Sequence, residues 1–129
     1  MKILDYLSLL KKKLRCFKKS YSYGTIDILV NRFFKNKNNG FYVDIGCQNP
    51  ISNNNTYLLY NYKNWNGINI DLDQSNIDLF NLIRKRDINV SAAVSSGNYN
   101  KKLYFYHNKS AINTLEKKVF NFKKHKLKK

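Results

Sequence analysis

The middle of the chain alternates short apolar runs with stretches of helical spacing. Three runs have the length and composition of buried strands: Phe41–Gly46, Ile68–Asp71 and Ile88–Val94. Between them, apolar spacing predicts one helix that begins near Asn55–Thr56 and a second over residues 75–86, with Ser75 as its N-cap. Strand, helix, strand, helix and strand in this order predict a parallel sheet with crossover helices.

Two helices are expected before the first strand. Apolar residues at spacings of three and four predict an amphipathic first helix: Ile3, Leu7, Leu10, Leu14 and Phe17. Thr25 is placed to cap a second helix, Ile26–Phe34, and Lys35–Gly40 is a turn-rich linker. A helix packed on its own domain, a helix on a membrane surface and a partner-docking helix all fit the first pattern.

The pattern becomes weaker after the third strand. Residues Lys102–Tyr106 alternate enough to form a fourth strand, and the last twenty residues keep helical spacing that fades into lysines. We therefore expect an N-terminal helical segment over 1–35, an α/β domain over 36–116 and a basic tail over 117–129. The α/β pattern corresponds to one half of a doubly wound, Rossmann-like parallel sheet.

The net charge of +16 belongs to the two ends of the chain. Residues 1–40 carry ten basic and two acidic residues, and residues 101–129 carry ten basic residues and one acid. Residues 41–100 hold four basic and five acidic residues, so the patterned middle is nearly neutral. Solvated lysines, a polyanion site and an anionic membrane surface would each explain such ends, and this distribution does not favour nucleic acid as the partner.

Composition excludes several classes of protein. The apolar runs are too short to span a bilayer, and the first apolar stretch has no small-residue cleavage site after it. Two cysteines, Cys16 and Cys47, are too few for a disulfide framework or a zinc site, so a reducing cytoplasm is expected. His107 and His125 lack the spacing of metal ligands, and we expect no bound metal.

Candidate chemistry lies where the first two strands end. Asp44 and Gly46 close the first strand, and a glycine there lets the backbone approach a ligand closely. Asp71 closes the second strand, where an acid is suited to accept hydrogen bonds from both hydroxyls of a ribose. The sequence has no three-glycine phosphate loop, which favours S-adenosylmethionine over a dinucleotide.

Four stretches resemble FkbM-type S-adenosylmethionine-dependent methyltransferases: Gly40–Cys47, Asn54–Tyr57, Trp65–Asp71 and Arg86–Val90. The segments Ser22–Leu29 and Lys102–Leu115 are also similar to their counterparts in that family, so the resemblance covers roughly residues 20–116.

The resemblance implies a Rossmann-like fold with a cofactor pocket at the ends of the first two strands. In it Asp44 and Gly46 would form the cofactor loop, Asp71 would bind the ribose, and Asn55 and Thr56 would line the same pocket. The implied reaction is O-methylation of a saccharide or secondary-metabolite acceptor, and no catalytic residue is assigned.

Two departures from the family pattern stand out. Pro50 occupies a loop position at which many members have glycine, and the sequence does not continue into the family's later acidic strand. We therefore expect a truncated, half-length domain whose first strand is an apolar edge, left exposed unless a homodimer or the tail covers it. The competing hypothesis is a non-enzymatic module that binds nucleic acid or an anionic membrane through its basic ends, including peripheral contact by the N-terminal helix.

Overall fold

The computed structural model describes residues 20–96, together with Leu7, Tyr104 and Lys117. A short 3-10 turn, Tyr23–Thr25, leads into the first helix of this part. In chain order the elements are then α1 (Ile26–Phe33), β1 (Phe41–Ile45), α2 (Tyr57–Tyr62), β2 (Asn66–Asp71), α3 (Gln74–Ile83) and β3 (Ile88–Ser91). The first amphipathic segment, the fourth strand, the basic tail, Cys16 and both histidines lie outside the described residues, except for the three isolated positions.

The three strands form one parallel sheet in the order β1-β2-β3. Val43 of β1 is level with Ile68 of β2, which is level with Ile88 of β3; Asp44, Asn69 and Asn89 form the next row. The predicted α/β architecture with crossover helices is confirmed to this extent, and β1 is an edge strand of the described sheet.

Both crossover helices cover the same face of the sheet. Tyr42 of β1 packs against Leu59 and Tyr60 of α2, and its hydroxyl also accepts a hydrogen bond from Arg84 at the end of α3. Because side chains alternate along a strand, the residues facing the helices include Tyr42, Asp44 and Asn69. Several side chains on this covered face are polar, and hydrogen bonds hold them between the sheet and the helices.

The opposite face corrects the expectation of fully buried strands. Val43 and Ile45 are 55% and 61% exposed, and Ile88 of β3 is 61% exposed. Runs of consecutive apolar residues are typical of parallel strands covered on both faces. Here the described helices cover only one face, so the outward apolar side chains of β1 and β3 are exposed, while Ile68 and Ile70 of the central strand β2 are partly buried.

The predicted start of α1 is confirmed, but its cap is not. Thr25 has φ 62°, and its hydroxyl donates to the Gly24 carbonyl instead of accepting from the helix. Asp27 instead fixes the residues that precede the helix: its buried carboxylate accepts hydrogen bonds from Tyr21 N–H at 2.7 Å and from Ser20 Oγ at 2.6 Å. Val30 faces the core, whereas Leu29 and Phe33 are exposed.

The cap of α3 is Asp73 rather than Ser75. The Asp73 carboxylate accepts from the backbone N–H of Ser75 at 2.9 Å, as an N-cap one position before the helix does. Asp73 is 7% exposed and lies at the helix N-terminus, where the helix dipole favours a negative charge.

Several residues of the asparagine-rich loops have the left-handed backbone conformation. The predicted linker contains positive φ values at Lys35, Asn36 and Asn39, and Asn64 repeats this conformation before β2. Asparagine tolerates the left-handed region better than most residues, which is why these tracts work as turns. Trp65 follows directly and is buried, with Nε1 donating to the Lys37 carbonyl at 2.8 Å.

Within residues 20–96 and the three isolated positions, no helix has the length and apolar character needed to cross a membrane.

Candidate functional site

The turn after β1 brings backbone to the carboxyl edge of the sheet. Gly46 has φ 74°, a conformation that disfavours a side chain, and a Cβ placed there would meet no atom within 4 Å. The N–H groups of Gly46 and Cys47 both donate to the Ile70 carbonyl, at 2.8 and 3.2 Å. This pair of bonds holds an open turn beside the end of β2.

Asp71 is fixed at that end by three hydrogen bonds from its own chain. Its Oδ2 accepts from Gln48 N–H at 2.9 Å, and its Oδ1 accepts from Asp73 N–H at 2.9 Å and Asn76 Nδ2 at 3.1 Å. A carboxylate offers about four acceptor positions, so roughly one remains, on Oδ2. One donor from outside the chain can use it directly, while a second would have to displace a bond such as that from Asn76.

Asp44 lies on the helix-covered side of the same edge. Its Oδ2 accepts from Thr56 Oγ1 at 3.0 Å and from Asn54 Nδ2 at 3.2 Å. Burial raises the pKa of Asp44, and the bonds from Thr56 and Asn54, with the charge of Arg84, oppose that rise. The Asp71 carboxylate is near enough to raise the pKa further.

The structure brings four of the five predicted residues to one edge. Asp44, Gly46 and Asp71 meet around the turn, and the hydroxyl of Thr56 is bonded to Asp44. Thr56 is 8% exposed and so supports the carboxylate from inside the molecule. Asn55, in contrast, is exposed next to it.

Asn54 is a residue that sequence reasoning missed as part of the site. It is 2% exposed, and besides Asp44 its amide nitrogen donates to the Cys47 carbonyl at 3.3 Å. Its Oδ1 accepts from the backbone N–H of Thr56 at 3.0 Å. One buried amide therefore ties the end of β1, the turn and the start of α2 together.

The sequence also did not identify Arg84, which the structure shows to be fully buried at the end of α3. Its guanidinium donates to Asn54 Oδ1 at 2.7 Å, to the Pro50 carbonyl at 2.8 Å and to the Tyr42 hydroxyl at 3.0 Å. The rings of Tyr57, Tyr60 and Phe80 surround it, with centroids 4.7 to 5.6 Å from Cζ. Burial lowers its pKa, and nearby anionic groups counter the effect.

Asp87 compensates the buried charge of Arg84. The two side chains approach to 3.7 Å, and Asp87 also accepts from the Tyr42 hydroxyl, Gly67 N–H and Asn69 Nδ2. Asp87 therefore belongs to the polar network under the helices. Pro50 contributes its carbonyl to the same network, so the loop at this position is anchored without the glycine of the family pattern.

Cys47 is a buried thiol beside both carboxylates. It is 3% exposed, and burial, followed by the charges of Asp71 and Asp44, raises the pKa of its thiol well above the usual range. The thiol is neutral at physiological pH, which agrees with a packing role. Among the described residues, no group of three or more His, Cys, Asp or Glu side chains is arranged to hold a metal ion.

Comparison of the chain with family models, curated proteins and solved structures gave no match in any of the three.

Proposed function

We propose that the carboxyl edge of the sheet binds S-adenosylmethionine and that the chain belongs to the FkbM-type methyltransferases its motifs resemble. One observation carries this proposal: an open glycine turn after β1 is hydrogen-bonded to an acid that ends β2. In parallel α/β sheets, ligands bind outside the carboxyl ends of the strands, and these two positions serve the cofactor in the Rossmann-like pattern.

The residues present fit a cofactor with a ribose and no pyrophosphate. Gly46 leaves room for close approach, and Asp71 Oδ2 keeps an acceptor position for a ribose hydroxyl. Bound there, S-adenosylmethionine would supply an electrophilic methyl group on its sulfonium. The chain's own part is then to orient the cofactor, with Asn54 and Thr56 holding Asp44 in place behind the turn.

The methyl acceptor in this proposal is a hydroxyl of a saccharide or secondary metabolite, and it rests on the resemblance alone. Proton removal from such a hydroxyl needs a base within hydrogen-bond reach. Asp44 and Asp71 are engaged by their own chain, so we assign the base to neither of them.

Calorimetry with S-adenosylhomocysteine tests the cofactor claim on the full chain. We expect saturable binding whose affinity falls by roughly 10-fold or more in Asp71→Asn, because hydrogen bonds to a charged group contribute about 1.5–3 kcal/mol. Asp78→Asn is the matched control, since Asp78 is an exposed carboxylate on α3 and should leave the affinity unchanged.

A cooperative thermal melt of each sample establishes that the protein is folded. Equal affinities of Asp71→Asn and the original chain would contradict the placement of the ribose at Asp71. Absence of heat from a cooperatively melting original chain would contradict cofactor binding itself.

A further inference from the structure

The sheet face that the helices leave open is a continuous aliphatic surface. Two rows of side chains cross all three strands: Val43–Ile68–Ile88 and Ile45–Ile70–Val90. The outer positions of these rows are 37% to 61% exposed, and Phe41 adds a ring that is 57% exposed. Parallel sheets occur in proteins with both faces covered, so this surface requires a partner.

A second apolar surface of the same chain lies immediately N-terminal to the described domain. Residues 3–17 carry five apolar side chains at helical spacing, with lysines and an arginine between them. Leu7, in the middle of this stripe, has helical conformation and is 47% exposed. Leu7 and the open face of the sheet thus both leave apolar surface exposed.

We propose that the amphipathic segment 3–17 packs with its apolar stripe on the aliphatic face of the sheet. This inference is independent of the proposed cofactor. A single contact would remove both surfaces from water, whereas a second copy of the sheet on the same face would leave the stripe uncovered.

The dimensions of the two surfaces agree. A helix over residues 3–17 extends about 22 Å at about 1.5 Å per residue, enough to cross a face whose outer strands lie about 10 Å apart. The segment ends just before Tyr21, which is anchored by its carbonyl to Asn54 N–H at 3.1 Å. Tyr21 packs with Tyr57 and Leu79 on the helix-covered face, so the connecting chain must pass the free edge beside β1 and span two layer spacings, about 20 Å. The seven residues from Leu14 to Tyr21 reach up to about 25 Å when extended, so the segment can dock through residues 3–14 with its last turn unwound.

Charge is compatible with this arrangement. With the stripe against the sheet, the basic side chains of the segment point to solvent, including Lys11, Lys12, Lys13 and Arg15. The contact itself is apolar, so the docked state should persist as the salt concentration is raised.

A nitroxide label on Cys16 tests the docking in the full chain. Cys16 falls on the polar side of the stripe, and Cys47→Ala leaves it as the single thiol. We expect the NMR signals of Val43, Ile45, Ile88 and Val90 to lose more than half of their intensity to paramagnetic broadening. The exposed outer side of α3, at Asp78, should keep its intensity because it lies on the other face of the sheet.

Two charge substitutions separate docking from chance proximity. Leu10→Asp places a charge in the stripe and should abolish the broadening, whereas Lys12→Asp, on the opposite side of the helix, should retain it. If Leu10→Asp does not fold, the labelled Cys47→Ala chain is a sufficient test by itself. Val43 signals that are not broadened in that chain would overturn the proposal.

A mixed sample identifies the source of any broadening. Labelled chains without isotope are combined with isotope-enriched chains without label, and only contacts between molecules then broaden the signals. Broadening that appears in this sample at full strength assigns the face to a second copy and overturns the proposal, as does broadening centred on α3.

Discussion

Asp44 shows how a single carboxylate is held in place against the cost of its burial. Hydrogen bonds from Asn54 and Thr56 stabilise its charged form, but burial is the larger effect and raises its pKa. Folding therefore favours the protonated carboxyl at this position. The support for Asp44 comes from side chains that are themselves buried, which makes its position well defined.

The raised pKa of Asp44 predicts a pH dependence of stability. The stabilisation of the neutral form is complete below the unfolded pKa of about 4 and is lost as the pH rises through the folded pKa. Relative to Asp44→Asn, which does not titrate, the original chain should lose free energy of unfolding as the pH rises above the unfolded pKa of about 4, until the folded pKa has been passed. Urea unfolding across this range measures the difference.

A second carboxylate variant, Asp78→Asn at an exposed position on α3, is measured alongside Asp44→Asn to control for the loss of one negative charge. A difference between Asp44→Asn and the original chain that stays constant across the pH range would show that burial does not govern the titration of Asp44.

At the scale of elements, Arg84 connects the end of α3 to the loop that carries the site. It binds Pro50 and Asn54 in the loop after β1, and Tyr42 within β1. The Tyr42 hydroxyl of β1 is thereby hydrogen-bonded under the helices, and Asp87, beside Arg84, accepts from Asn69 of β2, which is how the covered face of the sheet can carry polar side chains. The helix, the strand and the loop form one unit through this guanidinium.

Removal of Arg84 should be strongly destabilising. Arg84→Met removes the guanidinium group and its hydrogen bonds, and it leaves Asp87 buried without its cation. This is expected to cost about 3–5 kcal/mol in the free energy of unfolding. Lys85→Met, at the exposed neighbouring position, should change it by no more than about 0.5 kcal/mol. Chemical denaturation of both variants measures this contrast.

Arg84→Lys separates the contribution of the positive charge from that of the hydrogen bonds, because lysine keeps the charge but cannot make the three hydrogen bonds of the planar guanidinium. We expect most of the destabilisation to remain in it. An Arg84→Met protein as stable as the original chain would mean that the network adds nothing beyond apolar packing.

For the whole molecule, charge and chemistry lie in different parts of the chain. Residues 20–96, which contain the sheet and the candidate site, hold seven basic and six acidic residues. The excess of lysine lies in the flanking segments. The site proposal thus depends on local geometry at the sheet edge, and the net charge contributes little to it.

The order of strands and helices was predictable because apolar periodicity is local. The parallel pairing followed from that order, and the positions of the acids indicated where the two strands end: β1 ends one residue after Asp44, and β2 ends at Asp71. The buried polar interior was not predictable. Arg84 resembles any charged residue at the end of a helix, and only the folded chain shows that it points inward to Asn54 and Tyr42.

The exposed face of the sheet was missed for a related reason. An apolar run specifies that both sides of a strand avoid water, but it does not specify which segment covers each side. The sequence of β1 therefore predicted burial for Val43 and Ile45, whose cover is not among the described elements.

Amide chemical shifts of the full chain, recorded with and without S-adenosylhomocysteine, locate the cofactor site residue by residue. We expect saturable shifts centred on Gly46, Gln48 and Asp71, with little change at Asp78 on α3. Shifts confined to the lysine-rich ends, or none at saturating ligand in a folded sample, would contradict the assignment of a cofactor site to the carboxyl edge of the sheet.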